Sequence, residues 1–108
     1  MKILLIFFCL LLNGSSQELT RAQKHFNKLL QQANLGNFLA EYAVAKCYAT
    51  GSGVEKDEQL AFDWCLKSAK NGYKIACNDL YYYYILQSDH QDFERAYFWF
   101  KEMSAKKI

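Results

Sequence analysis

Proline is absent from the 108 residues and glycine occurs only five times. Collagen-like, proline-rich and linker compositions are thereby excluded. Nowhere does an apolar run reach the ~20 residues that a membrane-spanning helix needs. Cysteine never occurs as Cys-x-x-Cys, so the chain has neither that redox motif nor a zinc ribbon. A large charge of either sign is also missing: 13 basic residues face 11 acidic ones, a formal +2. That balance gives no electrostatic case for binding nucleic acid or an anionic membrane surface. What is present is a hydrophobic content of 52% with 22% charged residues, the mix of a globular chain rather than a disordered one. Aromatics reach 17%, eight of them tyrosines suited to half-buried faces. The length accommodates one domain.

Residues 1–16 stand apart from the rest. Lys2 is followed by an unbroken apolar run, Ile3 to Leu12, and then by Asn13, Gly14, Ser15 and Ser16. A charged start, an apolar middle of about 7–15 residues and small residues at the cut are the layout of a secretory signal. Cleavage after Ser16 sets Gly14 and Ser16 at the two small-residue positions. Phe7 and Phe8 are too bulky for a lipobox at Cys9. The expectation is an exported protein, periplasmic or secreted, without membrane attachment once the signal is removed. The mature chain then carries 12 basic and 11 acidic residues and the cysteines Cys47, Cys65 and Cys77. Export implies an oxidising compartment, and an odd count leaves at least one thiol outside any intrachain bridge.

From residue 17 onward the apolar residues recur at three- and four-residue steps. Leu19, Ala22, Phe26, Leu29, Leu30 and Ala33 form the stripe of a first helix, stopped by Asn34 and Gly36. A second helix, Phe38 to Ala49, turns Leu39, Ala40, Ala43, Val44, Cys47 and Tyr48 inward and ends at the Gly51-Ser52-Gly53 loop. Asp57 is placed to cap a third helix bearing Leu60, Ala61, Trp64, Cys65, Ser68 and Ala69. Asn71-Gly72 closes it. A fourth helix starts near Tyr73 and contains the four tyrosines between Leu80 and Ile85. The polar stretch Gln87 to Asp92 ends that helix, and a fifth runs from Phe93 to about Lys106. The fold class is all-α, with five helices after the signal.

An internal repeat organises these helices. At an offset of 36, Gly36, Ala40, Val44 and Tyr48 fall on Gly72, Ala76, Leu80 and Tyr84. After the loss of one loop residue, Asp57, Ala61 and Trp64 fall on Asp92, Ala96 and Trp99. Two helix pairs of this period are the signature of a short α-solenoid of antiparallel helix pairs. The units are 36–71 and 72–108, preceded by an N-terminal helix, 17–35, that is half a repeat or a cap. Ala40, Ala45 and Ala61 let helix backbones approach. Val44, Tyr48, Leu60 and Trp64 fill the space between helices, each contributing about 1.5–3 kcal/mol.

The segment Gly36…Ala40…Val44-Ala45…Tyr48…Gly51-Ser52-Gly53-Val54…Asp57…Ala61…Trp64…Ala69…Gly72 resembles the Sel-one-like repeat, a relative of the tetratricopeptide repeat. Residues 36–71 carry the pattern well. In residues 72–106 it is degenerate: Gln87-Ser88-Asp89 replaces the Gly-x-Gly loop, and Tyr81 stands where a small residue belongs. The resemblance implies a protein–protein interaction module that binds a protein or peptide on its concave face. By register with the tetratricopeptide pattern, the concave residues are Tyr42, Lys46 and Ala49 in the first unit and Asn78, Tyr82 and Ile85 in the second. Exported members include adaptors, regulators and inhibitor-like partners. An envelope glycan-binding or structural protein, using stacked tyrosines, is the alternative. A homodimer through the apolar last helix, Phe93, Ala96, Tyr97, Trp99 and Phe100, fits a stack shorter than the usual three repeats.

No enzyme or cofactor is expected. His90, between Asp89 and Asp92, reads as a solvated turn rather than a metal site, and His25 sits beside Phe26 without a partner motif. Glu55, Asp57, Glu58 and Asp63 accord with the preference of helix N-termini for acidic residues. Nothing positions a base or an oxyanion hole for Cys65. Secreted relatives place a disulfide across the Gly72 type of turn with a cysteine at position 70, which is lysine here. Cys65 and Cys77 differ in level by about two residues, ~3 Å along the helices. Cys47 and Cys65 differ by about four residues, ~6 Å. A Cys65–Cys77 bridge is one alternative and three thiols are the other.

Overall fold

Short polar side chains fix where the helices begin. In the computed structural model, which describes residues 18–86 and 91–105, Thr20 opens α1 (Arg21–Asn34) with a capping box. Its Oγ1 accepts from Gln23 N–H at 3.1 Å, and the Gln23 side chain accepts from Thr20 N–H at 2.9 Å. Asn37 caps α2 (Phe38–Thr50) by accepting from Leu39 and Ala40 N–H. Asp57 caps α3 (Glu58–Lys70) through Leu60 N–H at 3.0 Å. After α4 (Lys74–Leu86), Asp92 accepts from Arg95 N–H at 3.1 Å and opens α5 (Phe93–Ala105). The proposed signal, 1–16, the Gln87–Asp89 loop and His90 lie outside the described residues.

The repeat is visible in the backbone bonds as well as the side chains. Asp57 N–H donates to the Tyr48 carbonyl at 2.9 Å, and Asp92 N–H donates to the Tyr84 carbonyl at 3.0 Å. At the ends of α1 and α3, Gly36 N–H bonds Ala33 and Gly72 N–H bonds Ala69, both at 2.9 Å. Each helix packs mainly on the next in sequence, so the chain is a short all-α solenoid.

Its interior consists of two similar cells. Phe26, Ala33, Ala40, Val44 and Cys47 form one, with Tyr48 and Trp64 against it. Ala69, Ala76, Cys77, Leu80, Tyr84, Ala96 and Trp99 form the other. Alanine meets alanine at 40 and 76, and the larger aliphatics Val44 and Leu80 sit in matching places.

Two residues read as inward face solvent instead: Leu39 is 56% exposed and Leu60 38%. The apolar side chains of α2 are spread around the helix, so their spacing does not select a face. Ala40, Val44 and Cys47 take the interior, and Leu39 is left on the other side. Leu60 lies in the first turn of α3 and is left partly in solvent.

Candidate functional site

An open cleft of about 490 Å³ runs between α2 and α4 with α3 as its floor. Tyr42, Ala45, Lys46 and Ala49 of α2 make one wall, and Asp79, Leu80 and Tyr83 of α4 make the other. Glu58, Gln59, Ala61, Phe62 and Cys65 line the floor. The small side chains of α2 hold the cleft open, while Phe62 and Tyr83, with ring centroids 4.9 Å apart, supply an aromatic surface inside it. Such a lining, apolar with a few convergent polar groups, is suited to holding a side chain of a partner.

The polar groups converge on Asp79. The Tyr42 hydroxyl donates to its Oδ2 at 2.6 Å, and Lys46 Nζ lies 3.3 Å from the same oxygen and 4.9 Å from the Tyr42 ring centroid. Burial, together with donation to the carboxylate, raises the Tyr42 pKa. The Lys46 pKa is raised as well, first by its interaction with the Tyr42 hydroxyl and then by the Asp79 charge. Lys46 remains more than half exposed, so this ion pair contributes modestly to stability. Its greater effect is to tie the first helices of the two units and to fix the rim of the cleft.

The predicted site is brought together only in part. Tyr42, Lys46 and Ala49 line the cleft, but Asn78, Tyr82 and Ile85 do not. Tyr82 is 49% exposed and makes an edge contact with Tyr81, whereas Ile85 joins a separate depression with Tyr81, Phe93, Ala96, Tyr97 and Phe100. Repeat-equivalent positions face the same way along a solenoid. Asn78, Tyr82 and Ile85 therefore point onward, as Tyr42, Lys46 and Ala49 point toward α4. The opposite face of α4 supplies Asp79, Leu80 and Tyr83 instead. Asp79 carried a sequence signal as the single acidic residue of α4, a helix that is otherwise mostly aromatic and aliphatic.

The disulfide expected as one alternative between Cys65 and Cys77 is not formed; both are thiols, as is Cys47. The Cys65 Sγ is directed at the Ala76 carbonyl at 3.8 Å and that of Cys77 at the Ala69 carbonyl at 3.7 Å. Each sulfur thus faces backbone across the α3–α4 turn. Burial pushes the Cys65 thiol up to about 12, away from the thiolate needed for nucleophilic chemistry. Among the described residues, no three His, Cys, Asp or Glu side chains are grouped to hold a metal ion. No helix among them is long and apolar enough to cross a membrane.

A second polar arrangement went unread in the sequence. Glu41 is 3% exposed, and Asn71 Nδ2 donates to both of its carboxylate oxygens, at 2.8 and 3.0 Å. Nearby, Ser68 donates to the Phe38 carbonyl at 2.7 Å. These three bonds join α2 to the end of α3 and hold the two helices in register.

Comparison with protein families decides the relationship: the Sel1 repeat model matches residues 38–73 and 75–107. The chain belongs to the Sel1 repeat family. A search of curated proteins found no match. Sel1 repeats mediate protein–protein interaction, and the family is typically a non-enzymatic interaction module. The second match begins at residue 75, so the family pattern extends through the tyrosine run and α5 despite the loss of the Gly-x-Gly loop.

Proposed function

We propose that this Sel1 repeat chain is an exported, non-catalytic binding module that takes an extended segment of another protein into the cleft between α2, α3 and α4. Its role is that of an adaptor, regulator or inhibitor-like partner. The observation that carries this reading is the cleft itself. Phe62 and Tyr83 supply an aromatic surface beside the small residues Ala45, Ala49 and Ala61, Lys46 and Asp79 tie the rim, and Glu58 and Gln59 add polar groups on the floor. Peptide recognition draws on that combination of apolar anchoring and a few orienting polar groups. Export is supported by Lys2, the apolar run Ile3 to Leu12, and the small residues Gly14 and Ser16. A glycan platform is less well supported by the tyrosine run. Adjacent rings meet edge-on, at 72° for Tyr81–Tyr82 and 87° for Tyr83–Tyr84, and Tyr84 is buried.

The test is affinity capture from the envelope and secreted fractions, comparing wild type with Ala49→Trp and Tyr82→Ala. The tryptophan fills the cleft from an exposed position; Tyr82 lies outside it. The expected result is one partner retained by wild type and Tyr82→Ala and lost by Ala49→Trp, with helicity unchanged by circular dichroism. Retention by Ala49→Trp would exclude the cleft. Mass spectrometry of the recovered chain should show it beginning at Gln17, and an intact Met1 would remove the export part of the proposal.

A further inference from the structure

The depression at the far end of the solenoid is the repeat-equivalent of the cleft. Tyr81, Ile85, Phe93, Ala96, Tyr97 and Phe100 line it. By the offsets of 36 and 35 they correspond to Ala45, Ala49, Glu58, Ala61, Phe62 and Cys65, all of which line the cleft. In the first unit that surface is faced by α4. In the second, no described residue faces it, and Phe93 is 65%, Tyr97 61% and Phe100 44% exposed. Four of the six pairs run from small or charged residues to large apolar ones (Ala45 to Tyr81, Ala49 to Ile85, Glu58 to Phe93, Cys65 to Phe100), while Ala61 matches Ala96 and Phe62 matches Tyr97. Tyr81 and Phe100 fill the space between α4 and α5, their ring centroids 5.8 Å apart, so the end is a broad aromatic surface rather than a slot for one more helix.

We infer that this surface is the interface of a two-fold, tail-to-tail dimer of the chain. Solenoid ends need a polar outer face for solubility, and the two ends differ in this respect. α1 presents Arg21, Lys24, Lys28 and Gln31 to solvent; a head-to-tail stack would have to desolvate those cations against the rings. Packing like end on like end buries only the aromatic surface and closes the assembly at two copies. At ~150–250 Å² for each fully buried aromatic side chain, the exposed parts of Phe93, Tyr97 and Phe100 amount to about 250–425 Å² per copy. Tyr82 and Leu86, one turn apart on α4, extend the patch. Over both copies it then reaches about 1,000 Å², the lower bound of a specific interface.

Charge fixes the orientation. Glu94 and Lys101 are seven residues apart on α5, so they flank the same edge of the Phe93–Tyr97–Phe100 face. Lys101 Nζ already borders that face, 5.2 Å from the Tyr97 ring centroid. A two-fold axis crossing α5 near Tyr97 makes the two α5 helices antiparallel and sets Glu94 of each copy against Lys101 of the other. A parallel two-fold arrangement would instead carry Glu94 and Lys101 of the partner to the opposite edge of the face, so this pairing would not form.

Sedimentation velocity over a concentration series, on the chain as its cells process it, tests the inference. Wild type should sediment as a monomer–dimer equilibrium with no larger species. Tyr97→Glu, and independently Phe93→Ser in case the first variant misfolds, should weaken the dimer by about tenfold or more while helicity is kept. Glu94→Lys should weaken it at low salt, and adding Lys101→Glu to that variant should restore it. Leu35→Glu, at the opposite end, should change nothing. A wild type that stays monomeric up to ~100 μM overturns the inference. So does a dimer insensitive to Tyr97 and Phe93, one broken by Leu35→Glu, or a charge swap that fails to restore association.

Discussion

Replacing Gly53 by alanine tests how α1 is seated. Gly51 and Gly53 occupy the same loop with nearly the same left-handed backbone, φ +77° and +74°. Adding a Cβ in that region costs about 1–2 kcal/mol at either position. The surroundings then separate them. At Gly51 the new atom would have its nearest neighbour, Lys56 Cβ, at 3.6 Å, an ordinary contact. At Gly53 it would overlap the Ala22 carbonyl oxygen and lie 2.6 Å from the carbonyl carbon. Backbone in the first turn of a helix cannot swing aside as a flexible side chain can, so α1 itself must shift. Overpacking of this kind adds ~1–3 kcal/mol. The expected losses are therefore about 1–2 kcal/mol for Gly51→Ala and ~2–5 kcal/mol for Gly53→Ala. In a domain of this size each kcal/mol lowers Tm by ~4–8 °C. Thermal and urea unfolding followed by far-UV circular dichroism measures both variants. Equal losses at the two glycines would refute the close approach of the loop to α1.

Two further outcomes follow from the polar contacts and the thiols. Asn71→Ala removes the donor to both oxygens of buried Glu41 and should cost about 1–3 kcal/mol, although Asn71 is itself exposed. Neighbouring Lys70→Ala should stay within ~0.5 kcal/mol in urea unfolding, and equal effects would deny Glu41 its dependence on Asn71. Cys65, raised by burial from 9.0 to about 12, should resist alkylation at pH 8 in the folded protein and react readily in urea. Its stabilising effect is complete below the unfolded value and is lost as pH rises from about 9 toward 12, because only the unfolded chain then releases the proton readily. The raised Lys46 pKa acts in the same direction, since its ion pair disappears on deprotonation. Stability should consequently fall on the alkaline side of pH 9. A folded-state thiol that alkylates as fast as in urea would contradict the burial.

The helices and their repeat were readable because each rests on local chemistry. Asp57 followed by an apolar stripe, and alanines 36 residues apart, require no knowledge of neighbours in space. The first cap was less legible. Leu19 and Ala22 continue the apolar spacing of α1, so periodicity alone carries the stripe back to Leu19, whereas the Thr20–Gln23 capping box starts the helix at Arg21. The cleft was half legible for a geometric reason. Repeat register identifies residues that point alike, but a cleft between successive units takes opposite faces of their first helices. Asp79 therefore stands across from Tyr42 and Lys46, and Asn78 does not. Glu41 was hidden by its type: a lone glutamate in an apolar helix reads as solvent-exposed until Asn71 is found to bond it.

The ion pair and hydrogen bond on Asp79 give the solenoid a link that its backbone lacks. Contacts otherwise pass from each helix mainly to the next in sequence, and chains built this way fold by closing short loops, with little entropy lost before each contact forms. Stiffness in such a chain is a property of joints arranged in series. Tyr42 and Lys46 reach past α3 to grip α4 directly, bracing one joint with polar bonds while those at either end rest mainly on apolar packing. Bending under load would therefore concentrate at α1 and α5, and the cleft would keep its width while the ends yield.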